Sequence, residues 1–280
     1  MSIEPNDNHA ERDLADTLRQ LRKAADLSGE RLAARCAMSQ TKVSRIERGK
    51  ALPSVVDVER ILSALEVPTD AATELLNLAR RANVQHTSWR SVAELGLWRK
   101  QDELKAVAES SSAMRHFLPA MPSGLLHVPD YARYALSAKV GSDPARDVDK
   151  AVDARLNRQQ VLADESRRFV FLMTEQAVKW KRAPRDVMAE QCAHTATLAD
   201  RPNVDIAIIP ASAEVYGAPM NSYVIYDDRL VIAELFSGEV ALRDYKDISY
   251  HLDLFSFFYD RALTGERARA FLLAARDEFM

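Results

Sequence analysis

The sequence predicts an α+β protein in two parts: an all-α five-helix domain with helix-turn-helix spacing, then an α+β domain with a mixed or antiparallel sheet. Three observations predict it. Up to Ala82, apolar residues recur three and four apart, with capping residues between the runs. Further along, short continuous apolar runs of strand length, such as Phe169 to Met173, lie between helical stretches. Cations crowd the short segment from Arg19 to Lys50, although the 280-residue chain has a formal net charge of -3.

Residues 1–12 are polar and acidic, with no apolar core of an export signal, and are expected to be a disordered tail. Leu14, Leu18 and Leu21 then make Asp13 to Ala25 the first helix, with Leu27 as a further anchor. Ser28 is the N-cap of a second, which runs to Cys36 and buries Leu32, Ala33 and Cys36. Ala37 and Met38 break the pattern. Ser39 caps a third helix, Ser39 to Arg48, whose apolar stripe is Val43 and Ile46. Gln40, Thr41, Ser44 and Arg45 therefore face away from the core, and Gly49 closes the helix. Pro53-Ser54-Val55-Val56-Asp57 starts a fourth with an S-x-x-D capping box, leading into Val58, Ile61, Leu62 and Leu65 before Pro68 stops it. The fifth runs from Asp70 to Ala82 and carries Leu75, Leu76 and Leu78. Helices this short are marginal alone, so packing must hold them.

Residues 83–94 lose this periodicity and read as a connector, which sets a helix-turn-helix domain at 13–82 and an α+β domain at 95–280. In the second domain Trp98 to Ser110 reads as a helix, and Phe169 to Met173 and Ile206 to Ile209 as buried strands. A meander follows: Ser222 to Tyr226, a turn at Asp227-Asp228, Leu230 to Phe236, a turn at Ser237-Gly238, then Glu239 to Arg243. Helices are expected over Ala145 to Asp164, Pro184 to Ala199, Asp247 to Ala262 and Gly265 to Phe279.

The exposed face of the third helix carries the chemistry. Glutamine can bridge adenine N6 and N7, and arginine can grip guanine O6 and N7 in a bidentate pair that discriminates by about 1–3 kcal/mol. Charges on a helix exterior are usually a solvated face. Here spacing, caps, turn and charge agree: Arg19, Arg22, Lys23, Arg31, Arg35, Lys42, Arg45, Arg48 and Lys50 stand against only Asp26, Glu30 and Glu47. The rest of the chain has no basic surplus with which to bind polyanions nonspecifically.

The run LRQLRKAADLSGERLAARCAMSQTKVSRIERGKALPSVVDVERILSALEV resembles the DNA-binding domain of Xre-type regulators, the group that includes the lambdoid phage repressors. The resemblance covers about Asp13 to Ala79 and is most specific over Ser39 to Gly49. It implies base contacts from Gln40, Thr41, Ser44 and Arg45. Phosphates fall to Lys42, Arg48, Lys50, Ser28 and the start of the helix at Ser54. It also implies a partly buried ion pair between Arg22 and Glu47. Two positions depart from the family. Ala37 stands where glycine is usual and would hold a positive φ at about 1 kcal/mol of strain, and Gly29 stands where glutamine is usual.

The segments FLPAMPSGLLHVPDYARYAL, RLNRQQVL, DVMAEQCAHTATLADRPNVDIAIIP and the closing meander resemble the C-terminal domain behind Xre-type modules in actinobacterial regulators of the WhiJ-like and antitoxin-like group. That group has proline before Gly124-Leu125-Leu126 and glutamine and threonine after it; this chain has Ser123, His127 and Val128. The resemblance implies a transcription regulator that works with a small partner protein.

No enzyme is expected. The eight glycines include no G-x-G pair, so there is neither a dinucleotide fingerprint nor a phosphate loop, and Ser123-Gly124 is no nucleophile elbow. Cys192 and His194 are two apart on a helix and point to different faces, so no metal site is expected, and no cofactor. Glu234 reads equally as an exposed alternate strand position or a functional acid. Two widely separated cysteines suit a reducing cytoplasm, and no apolar run reaches membrane length. Tyr250, Phe255, Phe257, Phe258 and Tyr259 crowd one helix; they are core on several sides, or Tyr250, Phe255, Phe258 and Tyr259 form part of a dimer or partner surface.

These readings converge on a cytoplasmic repressor that binds double-stranded DNA at a palindromic operator as a homodimer, regulated through its second domain by a small partner protein. Two rivals remain: an antitoxin-like interaction partner with autoregulatory DNA binding, and a one-component sensor with a pocket between the sheet and the aromatic helix.

Overall fold

The computed structural model describes residues 7–137 and 147–280. It divides into two compact units, one comprising the chain up to Gln85 with Ala241–Asp247, the other His86–Val240 with Ile248–Met280.

The first unit is built on α1 (Asp7–Ala24), α2 (Gly29–Arg35), α3 (Gln40–Glu47), α4 (Val55–Ala64) and α5 (Thr69–Ala82). Of the expected tail, residues 1–6 lie outside the described residues, and Asp7 already begins α1, six residues ahead of the expected start. The other boundaries follow the caps. Ser28 accepts from the Arg31 amide at 3.2 Å, Ser39 from the Lys42 amide at 3.2 Å, and Ser54 and Asp57 exchange both bonds of a capping box at 3.1 Å. Leu14, Leu18, Leu32, Val43, Ile46, Val58 and Ile61 form the core, each no more than 1% exposed.

Four helix ends share one geometry. After α3, Gly49 has φ +62, its amide donates to Ile46 O at 2.9 Å and the Lys50 amide to Arg45 O at 2.8 Å, a Schellman closure. The same pair of bonds closes α1, α2 and α4, but with Asp26, Ala37 and Glu66 at φ 52, 53 and 54. Three side-chain-bearing residues thus hold the left-handed conformation that suits glycine.

The remaining elements are β1 (Val84–Ser88), α6 (Trp89–Leu95), α7 (Leu97–Glu109), β2 (Ala113–Leu118), α8 (Pro129–Ser137), α9 (Val148–Arg158), β3 (Arg168–Thr174), α10 (Glu175–Lys179), α11 (Arg185–Leu198) and β4 (Val204–Ile209). Then come β5 (Tyr223–Tyr226), β6 (Leu230–Leu235), β7 (Gly238–Leu242), α12 (Tyr245–Tyr259) and α13 (Glu266–Phe279). The expected connector 83–94 thus carries a strand and a helix, and the expected helix start at Ala145 lies outside the described residues. The seven strands form one mixed sheet in the order β1-β7-β6-β5-β2-β3-β4. β2, β3 and β4 run parallel, while β5 joins β2 and β6 antiparallel.

The architecture is α+β. The middles of β3 and β4 are apolar because both faces are covered: Phe171, Leu172, Met173, Ala207 and Ile208 are all fully buried. α11 packs on α13, and α9 on α7 and α8.

Candidate nucleic-acid interface

α3 is seated by three anchors. Val43 and Ile46 point into the core, 1% and 0% exposed. Glu47, one residue on, meets Arg22 of α1 with two bonds, Nε to Oε1 at 2.6 Å and Nη2 to Oε2 at 2.9 Å. Arg22 also donates from Nη1 to Leu27 O at 2.6 Å, so all three contacts lock α1, the turn after it and α3 together. The hydrogen bonds to Glu47 raise the Arg22 guanidinium further, although burial works against it.

Seating α3 this way turns one edge outward. Gln40, Thr41 and Arg45 are exposed, and among the described residues their side chains make no hydrogen bond or ion pair within the protein. Ser44 differs. It is half-buried, and its hydroxyl and carbonyl accept from Arg48 at 2.7 and 3.0 Å. Lys42 is engaged as well, its Nζ 2.7 Å from Oδ1 of the buried Asp57, the capping-box carboxylate of α4. Lys50 is exposed beyond Gly49, while the hydroxyls of Ser28 and Ser54 are occupied as N-caps. The expected phosphate contacts therefore divide into a free cation, Lys50, and groups already bonded to their neighbours. No sequence pattern announced the Lys42–Asp57 pair, although Asp57 was legible as a cap.

The aromatic helix needs a correction. Phe255 and Phe258 are core residues, 5% and 1% exposed, with Phe258 stacked on Phe117 at 4.7 Å, so neither presents a surface. α12 rests on the sheet by that face. Tyr259 is half-buried and donates to Asp205, which leaves Tyr250, 64% exposed, as the outward member of the set.

The larger unit also holds a cavity of about 730 Å³, walled by α6, α7, α8, α9, β2, β5, β6, β7 and the segment at Ser123-Gly124. None of its lining residues comes from α12, so the cavity is not the one expected between the sheet and the aromatic helix. Glu234 lines it. Among the described residues no three His, Cys, Asp or Glu side chains stand together as metal ligands, and no helix is long and apolar enough to cross a membrane.

Residues 13–76 match the family model described as a helix-turn-helix domain, which supports a DNA-binding regulator, and residues 101–274 match the model described as "Domain of unknown function (DUF5753)". No curated protein matches the sequence. Among solved structures the chain is similar to NucT from Helicobacter pylori, at 12% identity and a TM-score of 0.38, over 65% of this chain and 98% of that one. It is also similar to TrmBL2, an archaeal chromatin protein whose structure is described as showing a novel mode of DNA binding, at 13% identity and a TM-score of 0.32, over 74% and 66% of the two chains. A third likeness is to Nuc, a phospholipase D family member from Salmonella typhimurium, at 11% identity and a TM-score of 0.32, over 59% and 90%.

Proposed function

Because the chain belongs to the DUF5753 family and carries a helix-turn-helix domain ahead of that region, we propose that it is a sequence-specific transcription repressor. In this reading two copies pair on a palindromic operator in the cytoplasm, α3 enters the major groove, and the domain at 95–280 is the regulated part. Gln40, Thr41, Ser44 and Arg45 read base edges. Arg48, Lys50, Ser28 and the start of α4 at Ser54 hold phosphates, joined by Lys42 when it exchanges Asp57 for the backbone. The observation that carries the reading is the outer edge of α3: glutamine, threonine and arginine stand exposed and unpaired on a helix whose other face is locked by Ile46, Val43 and the Arg22–Glu47 pair. A two-fold pair of such helices would place half-sites about one helical turn apart.

Gel-shift titration of a selected operator tests it. Arg45→Ala and Gln40→Ala should each weaken the specific complex by about 1–3 kcal/mol and relax the preference at one base position. Lys50→Ala should weaken all sequences alike and shallow the salt slope by about one. If both α3 variants bind as tightly as the parent, the reading fails.

For the second domain two controls compete. A small partner protein follows from the resemblance to antitoxin-like regulators, and copurification of such a protein would favour it. Ligand sensing is favoured by the cavity, whose size lies in the range of small-molecule sites. A ligand that shifts the melting temperature and also changes operator affinity would single it out.

A further inference from the structure

Two arginines in the cavity of the larger unit form no ion pair among the described residues. Arg155 and Arg158 stand three residues apart on α9 and both line the cavity, beside Gly124 and His116. Arg158 is 9% exposed; its Nε is buried without a partner, and among the described residues the side chain makes no hydrogen bond or ion pair. Arg155 Nε is likewise buried and unpartnered. Its Nη1 lies 3.2 Å from His127 Nδ1, and His127 Nε2 lies 3.0 Å from Pro122 O. With the imidazole proton assigned to Nε2, His127 is neutral, donates to Pro122 and accepts from Arg155, so it supplies no negative charge.

The carboxylates nearby do not balance the account. Glu239 is taken by Lys100, with which it forms an ion pair. Glu234 remains: it is open to the cavity and attracts both arginines without forming an ion pair with either, and desolvation by the cavity wall raises its carboxyl. Facing the cavity are Arg90, Lys100, Arg155 and Arg158 against Glu234 and Glu239, four cations and two carboxylates, an excess of two positive charges. Burial lowers both interior guanidiniums, Arg155 to about 9, where Arg158 adds repulsion. His116, pushed down to about 3 mainly by burial, is neutral as well, and its Nε2 is a buried polar atom without a partner.

Gly124 lies directly against these groups. A Cβ there would stand 2.7 Å from Arg158 Nη2 and 3.1 Å from Arg155 Nε. The main chain is held in place by Gln159, which donates to Gly124 O at 3.0 Å and His127 O at 2.8 Å. Buried cations left unpaired are strongly unfavourable unless an anion arrives, and guanidinium pairs suit carboxylate and phosphate geometry.

We propose that this cavity binds a small organic anion, its carboxylate or phosphate seated between Arg155 and Arg158 beside Gly124, its apolar body against Trp89, Leu97, Leu104 and Tyr223. The inference deepens the sensor reading and is scored without DNA, so that it stands or falls apart from any effect on operator affinity.

Calorimetric titration and thermal melting of the full chain with phenyl phosphate and with benzoate, against chloride at equal ionic strength, test it. Saturable binding of either probe is expected, and the probe that binds identifies the anchor chemistry. Arg158→Gln should weaken that binding roughly tenfold to a hundredfold. Without anion the variant should melt no lower than the parent, because it removes an unpaired buried charge. Arg155→Gln should likewise lose affinity, which keeps the test open if the first variant misfolds. No saturable binding of either probe, or binding unchanged in both variants, would overturn the assignment.

Discussion

Ala37 offers a clean test of how the helix-turn-helix is held. It occupies the closing position of α2 at φ 53, with its amide 3.3 Å from Ala34 O and the Met38 amide 2.9 Å from Ala33 O. The left-handed conformation sets an alanine Cβ too close to the following carbonyl, at about 1–2 kcal/mol. Glycine removes that strain but gives the unfolded chain more freedom, which returns about 0.4–1 kcal/mol. The Ala37 methyl is exposed, so no packing is lost. Ala37→Gly should therefore stabilise the unit by about 0.5–1 kcal/mol. At a urea slope of about 2 kcal/mol per molar, the midpoint moves up by about 0.4 M. The reciprocal change sharpens the case: at Gly49 a Cβ meets nothing within 4 Å, so the cost of Gly49→Ala is conformational alone, of similar size and opposite sign. Urea titration by far-ultraviolet circular dichroism reads the helices. Tryptophan fluorescence arises entirely from the other unit, at Trp89, Trp98 and Trp180, and marks any change that is not local. An unmoved or lowered midpoint for Ala37→Gly, or a Gly49→Ala without cost, would refute the strain argument.

The Arg22–Glu47 pair should behave as a buried pair. Either Arg22→Met or Glu47→Leu alone should cost about 2–4 kcal/mol by stranding its partner, while the double variant recovers most of it; additive losses in a thermodynamic cycle would contradict this. At the turn before β6, burial would raise the Asp227 carboxyl, but the amides of Ala113 and Ser112, each 2.9 Å away, and Arg229 outweigh it and hold it below its ordinary value. A depressed carboxylate stabilises fully above the unfolded value of about 3.9 and loses that contribution as pH falls through the lower folded one. Asp227→Asn should accordingly cost about 1 kcal/mol at neutral pH and nothing in strong acid, and a pH-independent difference in denaturation midpoints would count against the assignment.

How much the chain disclosed depended on whether neighbours in sequence were also neighbours in space. α2, α3 and α4 were legible because Ser28, Ser39 and Ser54 cap them and their apolar stripes repeat at helical spacing. The outward edge of α3 followed from the same periodicity. The Arg22–Glu47 contact spans twenty-five residues, and only the family resemblance pointed to it. β2, in the interior of the sheet, escaped notice since Arg115 and His116 interrupt its apolar run, yet His116 is 5% exposed and stacked on Phe171. Tyr250, Phe255, Phe257, Phe258 and Tyr259 looked too numerous for one helix face; Phe255 and Phe258 are nonetheless buried, and Phe258 stacks on Phe117 from β2, a partner invisible in the local pattern. The cavity lay furthest out of reach. Its arginines fall in RLNRQQVL, its glycine in the Ser123–Val128 loop and its acid on β6, and nothing short of the fold brings them together.

Selection of bound DNA from a random duplex library by the full chain decides whether α3 reads sequence. The expected result is an enriched motif with two inverted half-sites about one helical turn apart, whose preference at defined positions is lost with Arg45→Ala and Gln40→Ala. A pool that stays unenriched, or a motif that both variants select unchanged, would contradict it.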